Sequence, residues 1–177
     1  MSVVLELRQS AEQTAFNLRR WEEVQADPDL ANLPHRIETD RYGNIVMTPP
    51  SGMPHATAQA EIAHLLRTLL PEGIVATECP ISTADGVKAA DVAWLSASRR
   101  SETTRICLTV APEICVEIMS PSNSKQELLE KAALYFEAEA KEVWICDLLG
   151  HFEMFNAPSN RIVSSSICPA FPLQIER

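Results

Sequence analysis

Residues 113–119 read Glu-Ile-Cys-Val-Glu-Ile-Met; after the opening Glu113 they are apolar on both alternations except for one acid near the middle, Glu117. A strand with no polar face must be covered on both sides, which places it centrally in a sheet with helices on either side. The flanking sequence supplies both. Residues 10–25 show helical periodicity through Ala15, Phe16, Leu18, Trp21 and Val24, and Asp27-Pro28-Asp29 stops it. Residues 55–70 repeat the pattern with Ala58, Ile62, Leu65, Leu66 and Leu69. Ser124 with Glu127 is a capping box that opens a helix over 125–139.

Between these helices lie strand signals. Residues 36–39 and 44–48 form a hairpin through Asp40-Arg41-Tyr42-Gly43. Residues 74–82 carry Pro80, which suits an edge strand or a bulge. Residues 87–95, 142–147 and 151–155 follow as strands, and the stretch after Pro158 is a short closing strand or loop. Residues 96–104 are polar and read as a loop. The expected class is α/β, a central mixed β-sheet flanked by helices. A single domain over 1–177 is expected, with 1–33 as an N-terminal helical extension.

Composition narrows the function. With 46% hydrophobic and 22% charged residues the chain is of ordinary globular make-up. No apolar run approaches the roughly 18 residues a membrane span needs, and residues 1–8 lack a secretory signal. The five cysteines show no CxxC spacing, and Cys107, Cys115 and Cys146 sit in strand-like runs. Buried reduced thiols in a cytoplasmic chain with no membrane partner are expected. A net charge of −9 argues against a general nucleic-acid binder, but a nuclease survives this test because a metal site is itself a nest of carboxylates.

Three charges lie in stretches that must enter the core: Asp91 in Ala-Ala-Asp-Val-Ala-Trp-Leu, Glu117 in the strand above, and Lys131 in Leu-Leu-Glu-Lys-Ala-Ala-Leu-Tyr. An unpaired charge there is costly. On its helix, Lys131 is about 60° from Leu128 and Leu134 and about 40° from Tyr135, so it shares their face. Opposed residues of neighbouring strands stand about 5 Å apart, so Asp91 and Glu117 can share one cation. Two acids to one lysine leave a surplus negative charge that a hard cation, Mg²⁺ or Mn²⁺, would neutralise. The plainer reading is a buried salt bridge of one acid with Lys131, or a lysine that snorkels outward. A Cys–His hydrolase around Cys115 has no histidine on a following element before His151.

The runs Pro49-Pro50-Ser51-Gly52 with His55, Ala90-Asp91-Val92-Ala93, Val116-Glu117-Ile118-Met119-Ser120-Pro121-Ser122-Asn123-Ser124, Lys131 with Tyr135, and Glu142-Val143-Trp144-Ile145-Cys146-Asp147 resemble the Uma2 (DUF820) family. That family belongs to the PD-(D/E)XK, restriction-endonuclease-like superfamily, and the likeness covers roughly residues 36–155. It implies a restriction-endonuclease-like fold and a Mg²⁺-dependent endonuclease acting on DNA, with Asp91, Glu117 and Lys131 catalytic and Asp91 and Glu117 as metal ligands. Glu38, His55, Glu78 and Tyr135 take supporting positions. A catalytically inactive binding or regulatory protein on the same fold is the alternative. A homodimer is also conceivable, with the helix of Trp21 as an interface. Three positions depart from the pattern. Met119 stands where the superfamily lysine usually falls, Ala90 replaces a proline, and residues 137–141 lack the usual glycine after the helix. Read without the family, His55 caps a helix start and Glu38 is a solvated turn residue.

Overall fold

The computed structural model describes residues 7–102 and 106–176. Residues 1–6, 103–105 and 177 lie outside it, and with them most of the leader reading and the end of the predicted polar loop. The sheet has six strands in the order β3 (Ile74–Thr83), β4 (Gly86–Leu95), β5 (Ile114–Ile118), β6 (Glu142–Cys146), β7 (Phe152–Ala157) and β8 (Asn160–Ile162). β5 and β6 are parallel and the other neighbours antiparallel. The largely apolar 113–119 run thus becomes an interior strand, as its pattern requires. Pro80 is accommodated because β3 is an edge strand, where a missing N–H goes unnoticed.

Helices cover both faces. Helix α3 (Met53–Leu69) lays Ala58, Ile62 and Leu66 on Val92, Trp94, Ile114, Val116, Ile118 and Trp144. On the other face α4 (Lys125–Glu137) lays Ala132 and Tyr135 on Ala93, Cys115 and Val143. Period two along β5 does the sorting. Ile114, Val116 and Ile118 turn to α3, while Cys115 and Glu117 turn to α4. The capping box at Ser124 forms as read, with Ser124 Oγ accepting from the Glu127 N–H and the Glu127 carboxylate accepting from the Ser124 N–H. Leaving the helix, Glu139 adopts φ 76°. Its N–H donates to Phe136 O, and the Ala140 N–H donates to Tyr135 O, a Schellman ending in which glycine is the usual residue.

Helix α1 (Ala11–Ala26) is capped by Ser10, and the short α2 (Pro28–Ala31) follows. Asn17 Nδ2 ties α1 to the β3–β4 turn through Ser82 Oγ and Thr83 O, both at 2.9 Å. Trp21 and Val24 pack with Val87 and Cys107. Trp21, conceived above as an interface residue, is therefore buried within the chain. All five cysteines are buried, but Cys107 lies in no strand. It follows a 3₁₀ turn over Arg99–Glu102, and its apolar neighbours serve the α1 contact instead. The strands β1 (Arg36–Thr39) and β2 (Ile45–Thr48) form a separate two-stranded sheet. No described helix is long and apolar enough to cross a membrane.

Candidate active site

The site is built where the sheet comes apart. β4 is ten residues long, but β5 pairs only with Val92, Ala93 and Trp94. Before that point the β5-facing edge of β4 has buried backbone groups that must find other partners. The hairpin and α4 supply them. The Val87 N–H donates to Thr39 Oγ1 at 2.9 Å, and the Ala89 N–H to Glu38 Oε1 at 2.8 Å. The Ala89 carbonyl accepts from Lys131 Nζ at 2.9 Å and from Arg36. At the fork, the Ile118 N–H donates to Asp91 Oδ2 at 2.6 Å. The β4–β5 register continued by one step sets Asp91 opposite Glu117.

Asp91, Glu117 and Lys131 converge. Lys131 Nζ lies 3.1 Å from Glu117 Oε1 and 2.7 Å from Glu38 Oε1. The Tyr135 hydroxyl, one helical turn on, donates to Glu117 Oε1 at 2.7 Å. Asp91 is held by Arg36 at 2.5 Å and faces His55 Nε2 at 3.4 Å. All of these groups except Tyr135 line a cleft of about 520 Å³ between the Pro49-Pro50-Ser51-Gly52 loop and the Ser120–Asn123 loop. Asp91 and Glu117 are 1% and 2% exposed, so they form its floor.

Burial in such company separates the two acids. For Glu117, burial raises the pKa, Lys131 opposes this, the Asp91 charge adds to it, and the net value is about 7. For Asp91, burial would also raise it, but the His55 hydrogen bond and the Arg36 charge prevail and the carboxyl is held below its ordinary range. Burial works to lower the Lys131 ammonium and to raise the Glu38 carboxyl. The Glu117 and Glu38 charges overcome the first, and Lys131 and Arg36 the second, so both groups stay ionised. Two carboxylates that titrate apart are what acid–base chemistry at neutral pH uses.

The supporting residues prove mixed. His55 is buried at 6% exposure, not a surface cap, and its Nδ1 has no hydrogen-bond partner. Glu38 is largely withdrawn from solvent, with 13% of its side chain exposed, and is locked between Lys131 and the β4 backbone. Glu78 lies outside this cleft, half exposed, where it accepts from Gln59 at 2.8 Å and faces Arg36 Nε at 3.1 Å. Its φ of 50° is a conformation that costs a non-glycine residue energy and clusters at functional sites. Cys115 is buried with its thiol pushed far up by burial, and His151 sits on an exposed turn with Asp147, so the two form no hydrolase pair. The residue missed by sequence reading is Arg36, which contacts Asp91, Glu38 and Glu78 together. The alternation Arg36-Ile37-Glu38 in a strand puts both charges on one face, and that was its only signal.

The donor set decides whether a divalent cation fits. Among the described residues no three His, Cys, Asp or Glu side chains are already grouped as a metal shell. Two register-opposed carboxylates on the floor of a cleft are a sparse set, and sparse sets suit Mg²⁺, which keeps several waters and takes one or two carboxylates plus substrate oxygens. His55 faces Asp91 through Nε2 and keeps its other buried ring nitrogen, Nδ1, unpartnered, so it adds a polar group with hydrogen-bonding capacity to spare. The residues therefore fit a hard cation of this kind.

No curated protein matches the chain. Among solved structures, a crystal structure titled "a putative nuclease belonging to DUF820" from Anabaena variabilis ATCC 29413 superposes with a TM-score of 0.64 at 16% identity. The match covers 87% of this chain and 93% of that one, which shows a shared fold. The sequence model of the Uma2 family, described as "Putative restriction endonuclease", matches residues 12–166. The fork in the sheet, the acids at its floor and this match over most of the chain lead to one conclusion: the protein belongs to the Uma2 family.

Proposed function

We propose that the protein is a Mg²⁺- or Mn²⁺-dependent endonuclease that hydrolyses DNA phosphodiester bonds at the Asp91–Glu117–Lys131 cleft. The observation that carries this reading is the convergence of the three groups on one solvent-reaching cleft from β4, β5 and α4. Asp91 and Glu117 would hold the cation, which supplies charge stabilisation at the phosphate and a more acidic bound water. The chain's own residues do the rest. Lys131, fixed by Glu38 and Ala89 O, offers an oriented positive charge to the attacking water and to the pentavalent transition state. Tyr135 fixes the rotamer of Glu117 through its hydroxyl. Glu38 and Thr39 hold the hairpin against β4 and so form one wall of the cleft.

Plasmid nicking tests this reading. Purified protein with Mg²⁺ or Mn²⁺ converts supercoiled plasmid to open circle, and Lys131→Ala lowers the rate by about 100-fold or more, the usual loss on removing one preorganised donor. Linearisation rather than nicking would point to two chains acting together. One observation favours the second reading, a nuclease-fold binding protein without turnover: Arg36 and Lys131 already neutralise the two acids. Equal traces of nicking from the parent and from Lys131→Ala would support it.

A further inference from the structure

Both oxygens of Asp91 have partners. One oxygen takes Arg36 Nη1, and the other takes the Ile118 N–H and faces His55. A divalent cation ligated by Asp91 would face the Arg36 guanidinium across the same carboxylate, where like charges repel, whereas the Ile118 N–H belongs to the backbone of a central strand. Arg36 is the partner that can leave. It is carried on β1, which belongs to the two-stranded sheet and not to the main one. It is also partly exposed, and it lines both the cleft of the acids and an adjoining cleft of about 650 Å³ bounded by Trp21, Leu30 and His35. Its Nε lies 3.1 Å from Glu78 but is too poorly aligned to hydrogen bond. Besides Asp91 it donates to Glu38 and to the Ala89 carbonyl, but Lys131 also holds both of those acceptors, at 2.7 and 2.9 Å, so they keep a partner when Arg36 turns away.

We propose that Arg36 stands in for the divalent cation at Asp91 when none is bound, and that it turns to the substrate phosphate when one is. The inference rests on the reading of the site given above. A guanidinium leaving a carboxylate carries a planar fork of donors that matches the oxygens of a phosphodiester, whereas lysine offers a point charge. The cleft otherwise presents Glu38, Asp85, Asp91, Glu117, Glu127 and Glu130 against Lys88 and Lys131. A polyanion therefore needs the freed arginine there, in addition to any cation.

The test compares the parent chain with Arg36→Met and Arg36→Lys. Mn²⁺ is titrated by calorimetry, and a short labelled DNA duplex is bound at saturating Ca²⁺ and followed by anisotropy. Arg36→Met should bind Mn²⁺ about tenfold more tightly and the duplex about tenfold more weakly, the scale of one charged hydrogen-bonding group. Opposite signs cannot come from simple damage to the fold, which would weaken both. Arg36→Lys should keep the parent's Mn²⁺ affinity but still lose affinity for the duplex. Equal or weaker Mn²⁺ binding by Arg36→Met, or unchanged duplex binding by either variant, overturns the inference and leaves the site reading standing. A parent chain that binds no Mn²⁺ overturns both. Should Arg36→Met fail to fold, duplex binding by Arg36→Lys decides.

Discussion

Glu117 ought to be a cost to the fold, and replacing it should reveal how large. Its pKa is about 7 in the folded chain against an ordinary 4.5. The folded state therefore holds this proton more tightly than the unfolded state does. Below pH 4.5 both states are protonated and Glu117 costs nothing. As pH rises towards 7, unfolding releases the proton, so stability falls across this window, and above it the full cost is present. At about 1.4 kcal/mol per pH unit, the window corresponds to roughly 3 kcal/mol. Glu117→Gln removes the charge and keeps an acceptor for the Tyr135 hydroxyl, while Lys131 keeps Glu38 at 2.7 Å. The variant should come within about 1 kcal/mol of the parent at pH 5 and exceed it by about 1–3 kcal/mol at pH 8, less than the full window because the Lys131 pair is weakened. Asp91 and Glu38, held low, lose stability only as pH falls, and they do so in both proteins, so they cancel from the difference. Urea unfolding in chelator, followed by tryptophan fluorescence, measures it. A variant less stable than the parent at pH 8, or a difference that does not grow between pH 5 and pH 8, would refute the argument. A gain would also be the usual sign of a site that trades stability for function.

Two further outcomes follow from particular geometry. Glu139→Gly should raise stability by about 1 kcal/mol, and the melting temperature by about 2–4 °C by thermal unfolding, because φ 76° at the end of α4 strains any side-chain-bearing residue. Mn²⁺ binding at pH 6 should release close to one proton, since a Glu117 carboxyl with a pKa of about 7 is mostly protonated there and a ligand must be ionised. Calorimetry in buffers of different ionisation enthalpy counts that proton, and a count of zero would mean Glu117 is no ligand.

What the amino-acid order determined alone is whatever depends on short-range pattern. Period two and apolar content announced β5 as an interior strand, helical spacing announced α1, α3 and α4, and Ser124 with Glu127 announced where α4 starts. The three charges in apolar runs were visible for the same reason, since a charge in such a run must have a purpose or a partner. Their company was not visible. Arg36 lies 55 residues from Asp91. Nothing local says that β5 stops pairing with β4 after Val92, leaving an edge that a separate hairpin must satisfy. Likewise the exposure of His55 and Glu38 could not be read locally, because a helix start and a hairpin strand are usually wet and only packing against β4 dries them. Which carboxyl titrates near neutrality was decided last of all. It depends on the sum of burial and every neighbouring charge, and that sum exists only once the chain has folded.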